Sequence, residues 1–115
     1  MKLYYFDLYA KAEPIRLLLN HAKADYEDIR VTGDAWKELK ANTDKCKFGQ
    51  VPLLEIGGKM YAQQAAIIRY LGSKFGYYPE DVEERFRADE IVDLVNDAVT
   101  PIVKNHFSPL SDEEK

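Results

Sequence analysis

Two short runs carry most of the chemistry that this sequence can support. In the first, Phe48-Gly49-Gln50-Val51-Pro52, a proline stands directly before the apolar stretch Leu53-Leu54-Glu55-Ile56. Pro52 has no N–H, so it suits the first position of a strand. An X-Pro bond can also be cis where a ligand needs the exposed backbone of Val51. The second run, Gln63-Gln64, opens a helical stretch, Ala65-Ala66-Ile67-Ile68-Arg69-Tyr70-Leu71. Unpaired N–H groups and the positive end of the dipole at a helix start favour an anion. A strand offering the amide and carbonyl of Val51 beside such a helix start is a place to hold a small peptide-like acid. Val51–Pro52 is therefore expected to be cis.

The elements that must position these runs can be read in chain order. Lys2 to Asp7 is rich in aromatics and leucine, as expected for a strand with both faces covered. Pro14 suits the first turn of a helix, whose apolar stripe is Ile15, Leu18, Leu19 and Ala22. Tyr26 to Val31 alternates as a second strand. Asp34 is the expected N-cap of a short helix, Ala35 to Ala41, which carries Trp36 and Leu39. After a polar connection from Asn42 to Lys47, Leu53–Ile56 and Lys59–Ala62 form a hairpin about Gly57-Gly58. Strand, helix, strand, helix, strand, strand, helix predicts a right-handed crossover joining two parallel strands, with an antiparallel hairpin at the edge. That layout is a thioredoxin-like α/β fold, a four-stranded mixed sheet with flanking helices.

Gly76-Tyr77-Tyr78-Pro79 punctuates the chain, dividing it into residues 1–78 and 79–115. Beyond it, a helix is expected from about Glu80 to Asn105, bent or frayed late by Pro101. Ala88, Ile91, Val92, Val95, Ala98, Val99, Ile102 and Val103 recur along it at helical spacing. Such a stripe is expected to be buried by protein outside this sequence. Ser111 to Lys115 reads as the cap of a following helix.

Composition narrows the function classes. The net charge of −4 argues against a nucleic-acid binder, and no run of about 18 apolar residues is present to span a membrane. The start goes straight into a strand with no apolar leader. Cys46 is alone, which excludes an internal disulfide or a Cys-x-x-Cys pair and fits a reducing compartment. Flanked by Lys45 and Lys47, it reads as a surface thiol in a solvated loop. His21 and His106 lie on unrelated segments and suggest no metal site. Glu13 and Arg16 read as a structural i, i+3 pair.

Taken together and in order, five segments resemble a known family. They are Lys2-Leu3-Tyr4-Tyr5-Phe6, Ala12-Glu13-Pro14-Ile15-Arg16, Asp34-Ala35-Trp36, Phe48-Gly49-Gln50-Val51-Pro52 and Gln63-Gln64-Ala65-Ala66-Ile67-Ile68-Arg69-Tyr70-Leu71. The chain resembles a cytosolic glutathione transferase, sigma-like, over nearly its whole length. The resemblance implies a glutathione-binding domain over 1–78 and the start of an all-helical domain over 79–115. It also implies a cytoplasmic enzyme with glutathione as co-substrate, acting on a small electrophile, as a homodimer or packed against another subunit.

The chemistry so implied is thiolate attack, with Tyr5 as the hydroxyl that donates to sulfur. A hydrogen bond to a charged group contributes about 1.5–3 kcal/mol. That could lower the thiol pKa by about one to two. Tyr4, the adjacent strand residue, points to the opposite face and reads as a packing aromatic. By the same resemblance, Lys11, Trp36, Lys40, Gln50, Val51, Pro52, Gln63, Gln64 and Asp97 bind glutathione. Trp36, Lys40 and Gln50 would take its glycine end, Val51 its cysteinyl backbone and the two glutamines its γ-glutamyl end. Asp97 would reach the ligand of a neighbouring subunit, and Phe48 would be the dimer contact. The sequence departs from the family pattern at Gln64 (usually serine), Lys11 (often arginine), Asn96 (commonly an acid) and Tyr9-Ala10 (more usually Arg-Gly). A non-catalytic subunit of a larger assembly and a glutathione-dependent isomerase or peroxidase are the alternative functions.

Overall fold

The computed structural model describes residues 1–106. It forms two compact units, Met1–Tyr78 and a second beginning at Pro79. The first holds β1 (Lys2–Tyr5), α1 (Glu13–His21), β2 (Glu27–Arg30), α2 (Gly33–Ala41), β3 (Leu53–Ile56), β4 (Lys59–Ala62) and α3 (Gln64–Lys74). The described part of the second is one helix, α4 (Val82–His106).

The four strands lie in the order β2-β1-β3-β4, with β1–β2 parallel and the other two pairs antiparallel. This is the thioredoxin-like mixed sheet. A parallel pair needs a crossover, which α1 supplies, whereas Gly57-Gly58 is short enough to fold β3 directly onto β4. Helices cover both faces of the sheet. On one face Leu3, Tyr5 and Leu54 pack with Ile15 and Leu19 of α1 and Ile67 and Leu71 of α3. On the other face Tyr4 and Leu53 pack with Val31, Cys46 and Leu39 of α2. Each fully buried leucine or isoleucine contributes about 1.5–3 kcal/mol, so the apolar alternation of the central strands fixes their register.

Four local expectations are corrected. β1 ends at Tyr5 rather than Asp7, and β2 spans Glu27–Arg30 rather than 26–31, because pairing between them stops where the chain turns into α1 and α2. α2 begins at Gly33, and its N-cap residue is Thr32, with no side-chain cap bond. Gly33, at φ +55°, turns the chain from the extended Thr32 into the helix, which leaves Asp34 inside the first turn. Cys46 is buried, not a surface thiol. Its amide donates to the Asn42 carbonyl at 2.8 Å, and this turn points the sulfur inward among Tyr4, Val31, Leu39 and Leu53.

Within the second unit, α4 begins at Val82 rather than Glu80 and runs through Pro101 to His106. Phe86, Ile91, Leu94 and Ile102 are all more than 60% exposed along it. The expected cap at 111–115 lies outside the described residues.

Candidate functional site

Tyr5 closes β1, and the pleat turns it towards the α1–α3 face while Tyr4 goes to the other. The Tyr5 side chain is 1% exposed, and its hydroxyl accepts the Lys11 amide N–H at 3.3 Å. An oxygen that already accepts from an amide is a better donor through its own proton. Burial raises the phenol pKa above the ordinary 10.0, while the Lys11 N–H and the Arg16 cation pull it down. The group is thus a neutral donor near pH 7. The amide that meets it comes from a 3-10 turn, Ala10–Ala12, entered through Ala10 at φ +28°.

Arg16 packs beside this turn at 4% exposure. Its Nη1 donates to the Leu8 carbonyl at 2.6 Å and to Glu13 at 3.3 Å, and its Nε donates to Asp28 at 3.2 Å. The guanidinium also lies over the Tyr5 ring, 5.9 Å from its centroid.

Phe6 links Tyr5 to the next group of residues. Its ring is 5.4 Å from Tyr5 and meets Trp36 edge-on at 5.0 Å. One turn along α2, the Lys40 ammonium lies 5.9 Å from the Trp36 ring. A Cβ on Gly49 would stand 3.9 Å from the Lys40 stem, so the loop before Pro52 passes beside that lysine. Gln50 in turn accepts from the Gln63 amide at 3.5 Å. The fold thus sets Trp36 beside Lys40 on α2, the 48–52 loop beside Lys40, and Gln50 beside Gln63 at the start of α3.

Val51–Pro52 is cis, and Val51 touches both core clusters just before β3 begins. Gln63 adopts φ +76°, and its carbonyl accepts the Ile67 N–H at 2.9 Å. Gln64, the first residue of α3, is buried. Lys11 stands in the 3-10 turn and meets Tyr5 through its backbone. Phe48 is exposed, with the Lys47 ammonium 5.4 Å from its ring. Asp97 is an exposed residue of α4, in the second unit.

Two contributors escaped the sequence reading. Phe6 is, in sequence, a further aromatic of the β1 run. The structural i, i+3 pair of Arg16 with Glu13 forms at 3.3 Å, but nothing local shows that Arg16 also meets Asp28. The signal for Arg16 was present in Asp28, but only the parallel pairing of β1 with β2 brings that carboxylate to it. Among the described residues, no cluster of three or more histidine, cysteine or acidic side chains could hold a metal. No described helix is long and apolar enough to cross a membrane.

A mixed sheet with a buried tyrosine at the end of its first strand, and a cis-proline before its third, defines a class that similarity then specifies. Residues 1–73 match the family profile described as Glutathione S-transferase, N-terminal domain. The chain is 49% identical over 94 residues to Glutathione S-transferase 2 of Manduca sexta, covering 82% of this chain and 44% of that protein. Among solved structures, a Nu-class GST from Haemonchus contortus superposes at a TM-score of 0.74 with 43% identity, over 84% of this chain and 46% of that one. Prostaglandin synthase D of Nilaparvata lugens superposes at 0.81 with 37% identity, over 98% and 54%. The chain belongs to the glutathione S-transferase family. It spans about half the length of the relatives that it matches.

Proposed function

We propose that residues 1–78 bind glutathione and that Tyr5 stabilises its thiolate for attack on a small electrophile. Val51, beside the cis-Pro52, would pair with the cysteinyl backbone. Trp36, Lys40 and Gln50 would hold the glycine carboxylate, with the γ-glutamyl end at Gln63 and Gln64 and the Lys11 side chain close to the ligand. The observation that carries this reading is the Tyr5 hydroxyl. Its acceptor capacity is engaged by the Lys11 amide, and its proton is left to donate to sulfur. Residues 79–115 would open an all-helical domain whose Asp97 reaches a ligand bound in a second subunit. The protein would act in the cytosol as a homodimer with Phe48 at the contact.

Tyr5→Phe tests the mechanism. Losing a hydrogen bond to a charged sulfur should lower kcat by up to about 100-fold near neutral pH, with glutathione affinity little changed. Raising the pH should restore part of the rate, because the defect is one of ionisation. Unchanged turnover in the variant removes Tyr5 from the mechanism. Tight glutathione binding by calorimetry without any conjugation favours a non-catalytic subunit. The printed name of the Nilaparvata lugens neighbour supports a second reading, in which the same thiolate serves an isomerisation.

A further inference from the structure

We infer that Arg16 is a positioning residue for Tyr5. Its guanidinium ties the turn between β1 and α1 to β2, so that the Lys11 amide meets the Tyr5 hydroxyl while a cation lies over the phenol ring. The assignment rests on the reading of Tyr5 as the group that acts on the thiol.

Three observations converge on it. First, the guanidinium spans three segments: the Leu8 carbonyl in the turn, Glu13 at the start of α1 and Asp28 on β2. Second, the same turn is held a second time from the same carboxylate. Asp28 also accepts from Arg30 at 3.1 Å, and Arg30 donates to Asp7 at 2.7 Å. Asp7 and Leu8 are thus both anchored just upstream of the Lys11 amide. Third, Arg16 Nη2 is buried without a hydrogen-bond partner among the described residues, on a guanidinium that lies over the Tyr5 ring. A cation over an aromatic face is attracted by the ring quadrupole, and it makes the attached hydroxyl a stronger donor.

Stability alone does not account for this arrangement. Taking a guanidinium out of water costs about as much as its ion pairs return, and packed apolar side chains often serve as well. A fork that reaches a loop carbonyl, a helix start and a neighbouring strand instead fixes geometry. Arg16 is the charged side chain acting on the Tyr5 phenol, with Glu13, Asp28 and, beyond Asp28, Arg30 and Asp7 arranged around it.

The test compares Arg16→Met, Arg16→Lys and Asp28→Asn in the intact protein. Tyr5 ionisation is followed by ultraviolet difference titration, with Tyr5→Phe as the blank, alongside kcat, glutathione KM and thermal midpoint. Arg16→Met should move the Tyr5 titration to higher pH. It should also lower kcat by about 10- to 100-fold, as expected for a displaced catalytic group, with KM little changed. Arg16→Lys should recover part of both effects, because it keeps a charge and one donor. Asp28→Asn, which loosens the tie to β2 but keeps the cation, should move the Tyr5 titration in the same direction as Arg16→Met and by less. If the Tyr5 titration is unmoved in the arginine variants, or if kcat follows thermal stability across all three, the assignment is overturned. Should Arg16→Met not fold, Arg16→Lys carries the test, since one ammonium cannot reproduce the fork. A wild-type protein without conjugating activity would refute the proposed function, while a shifted Tyr5 titration in the arginine variants would still uphold the assignment.

Discussion

Tyr4 and Tyr5 project from opposite faces of β1, and their hydroxyls meet different neighbours. Tyr4 donates to Glu55 at 3.2 Å, whereas Tyr5 accepts from a backbone amide. Burial is the main reason that both phenols stand above the ordinary 10.0, with the Glu55 carboxylate adding to it at Tyr4. A raised value means that the folded state keeps a proton which the unfolded chain releases. The resulting stability is full below a pH of about 10 and is lost as the pH rises through the folded value. The gap in urea midpoint between wild type and Tyr4→Phe should therefore be constant up to about pH 10, then move in the variant's favour. Removing one hydrogen bond should cost about 1 kcal/mol at neutral pH and leave turnover unchanged. A gap that widens against the variant in alkali would contradict this account of Tyr4.

At the scale of elements, the site depends on how helices are entered. α2 must start so that Trp36 and Lys40 share one side, and the positive φ of Gly33 makes that start possible. Nothing lies within 4 Å of a Cβ built there, so any penalty for Gly33→Ala is backbone strain alone. A stability loss of about 1–2 kcal/mol is expected by chemical denaturation, and a neutral result would show that α2 can begin another way. Leu19 is the opposite case, a buried side chain of α1 against the sheet. Leu19→Ala should cost about 2–5 kcal/mol, with the thermal midpoint as readout. A loss below 1 kcal/mol would mean that the α1 face collapses readily around the cavity.

For the whole molecule, exposed apolar surface is the main unanswered energetic demand. Phe48 is 57% exposed in the loop that also carries Gln50, Val51 and Pro52. In the proposed homodimer that ring docks into the partner, and burying it would contribute about 1.5–3 kcal/mol per protomer. Phe48→Ser should then shift sedimentation equilibrium towards monomer, and glutathione affinity should weaken as the loop loses its support. An unchanged mass distribution would place the dimer contact elsewhere. The exposed row on α4, including Phe86, Leu94 and Ile102, makes the same demand on a larger scale.

What could be read from the chain alone follows from local physics. Gly57-Gly58 between two apolar runs specifies the hairpin, Pro52 the strand start and a bond that can be cis, and Gln63-Gln64 the entry to α3. The period of two in β1 separates Tyr4 from Tyr5. Each of these signals lies within a few residues of the structure it predicts, so no distant partner is needed to interpret it. The bond from Arg16 to Asp28, the burial of Cys46 and the packing of Phe6 are not legible in the chain, for the converse reason. The i, i+3 pair of Arg16 with Glu13 forms as its spacing predicts, but the second carboxylate, Asp28, reaches the guanidinium only when β2 lies beside β1. Cys46 sits among lysines in sequence but faces inward, because the turn from Asn42 aims its sulfur at the core. Phe6 becomes a link only when α2 folds back over the end of β1 and sets Trp36 against it. In each case the neighbour that gives the residue its chemistry is far along the chain, and only the packed fold brings the two together.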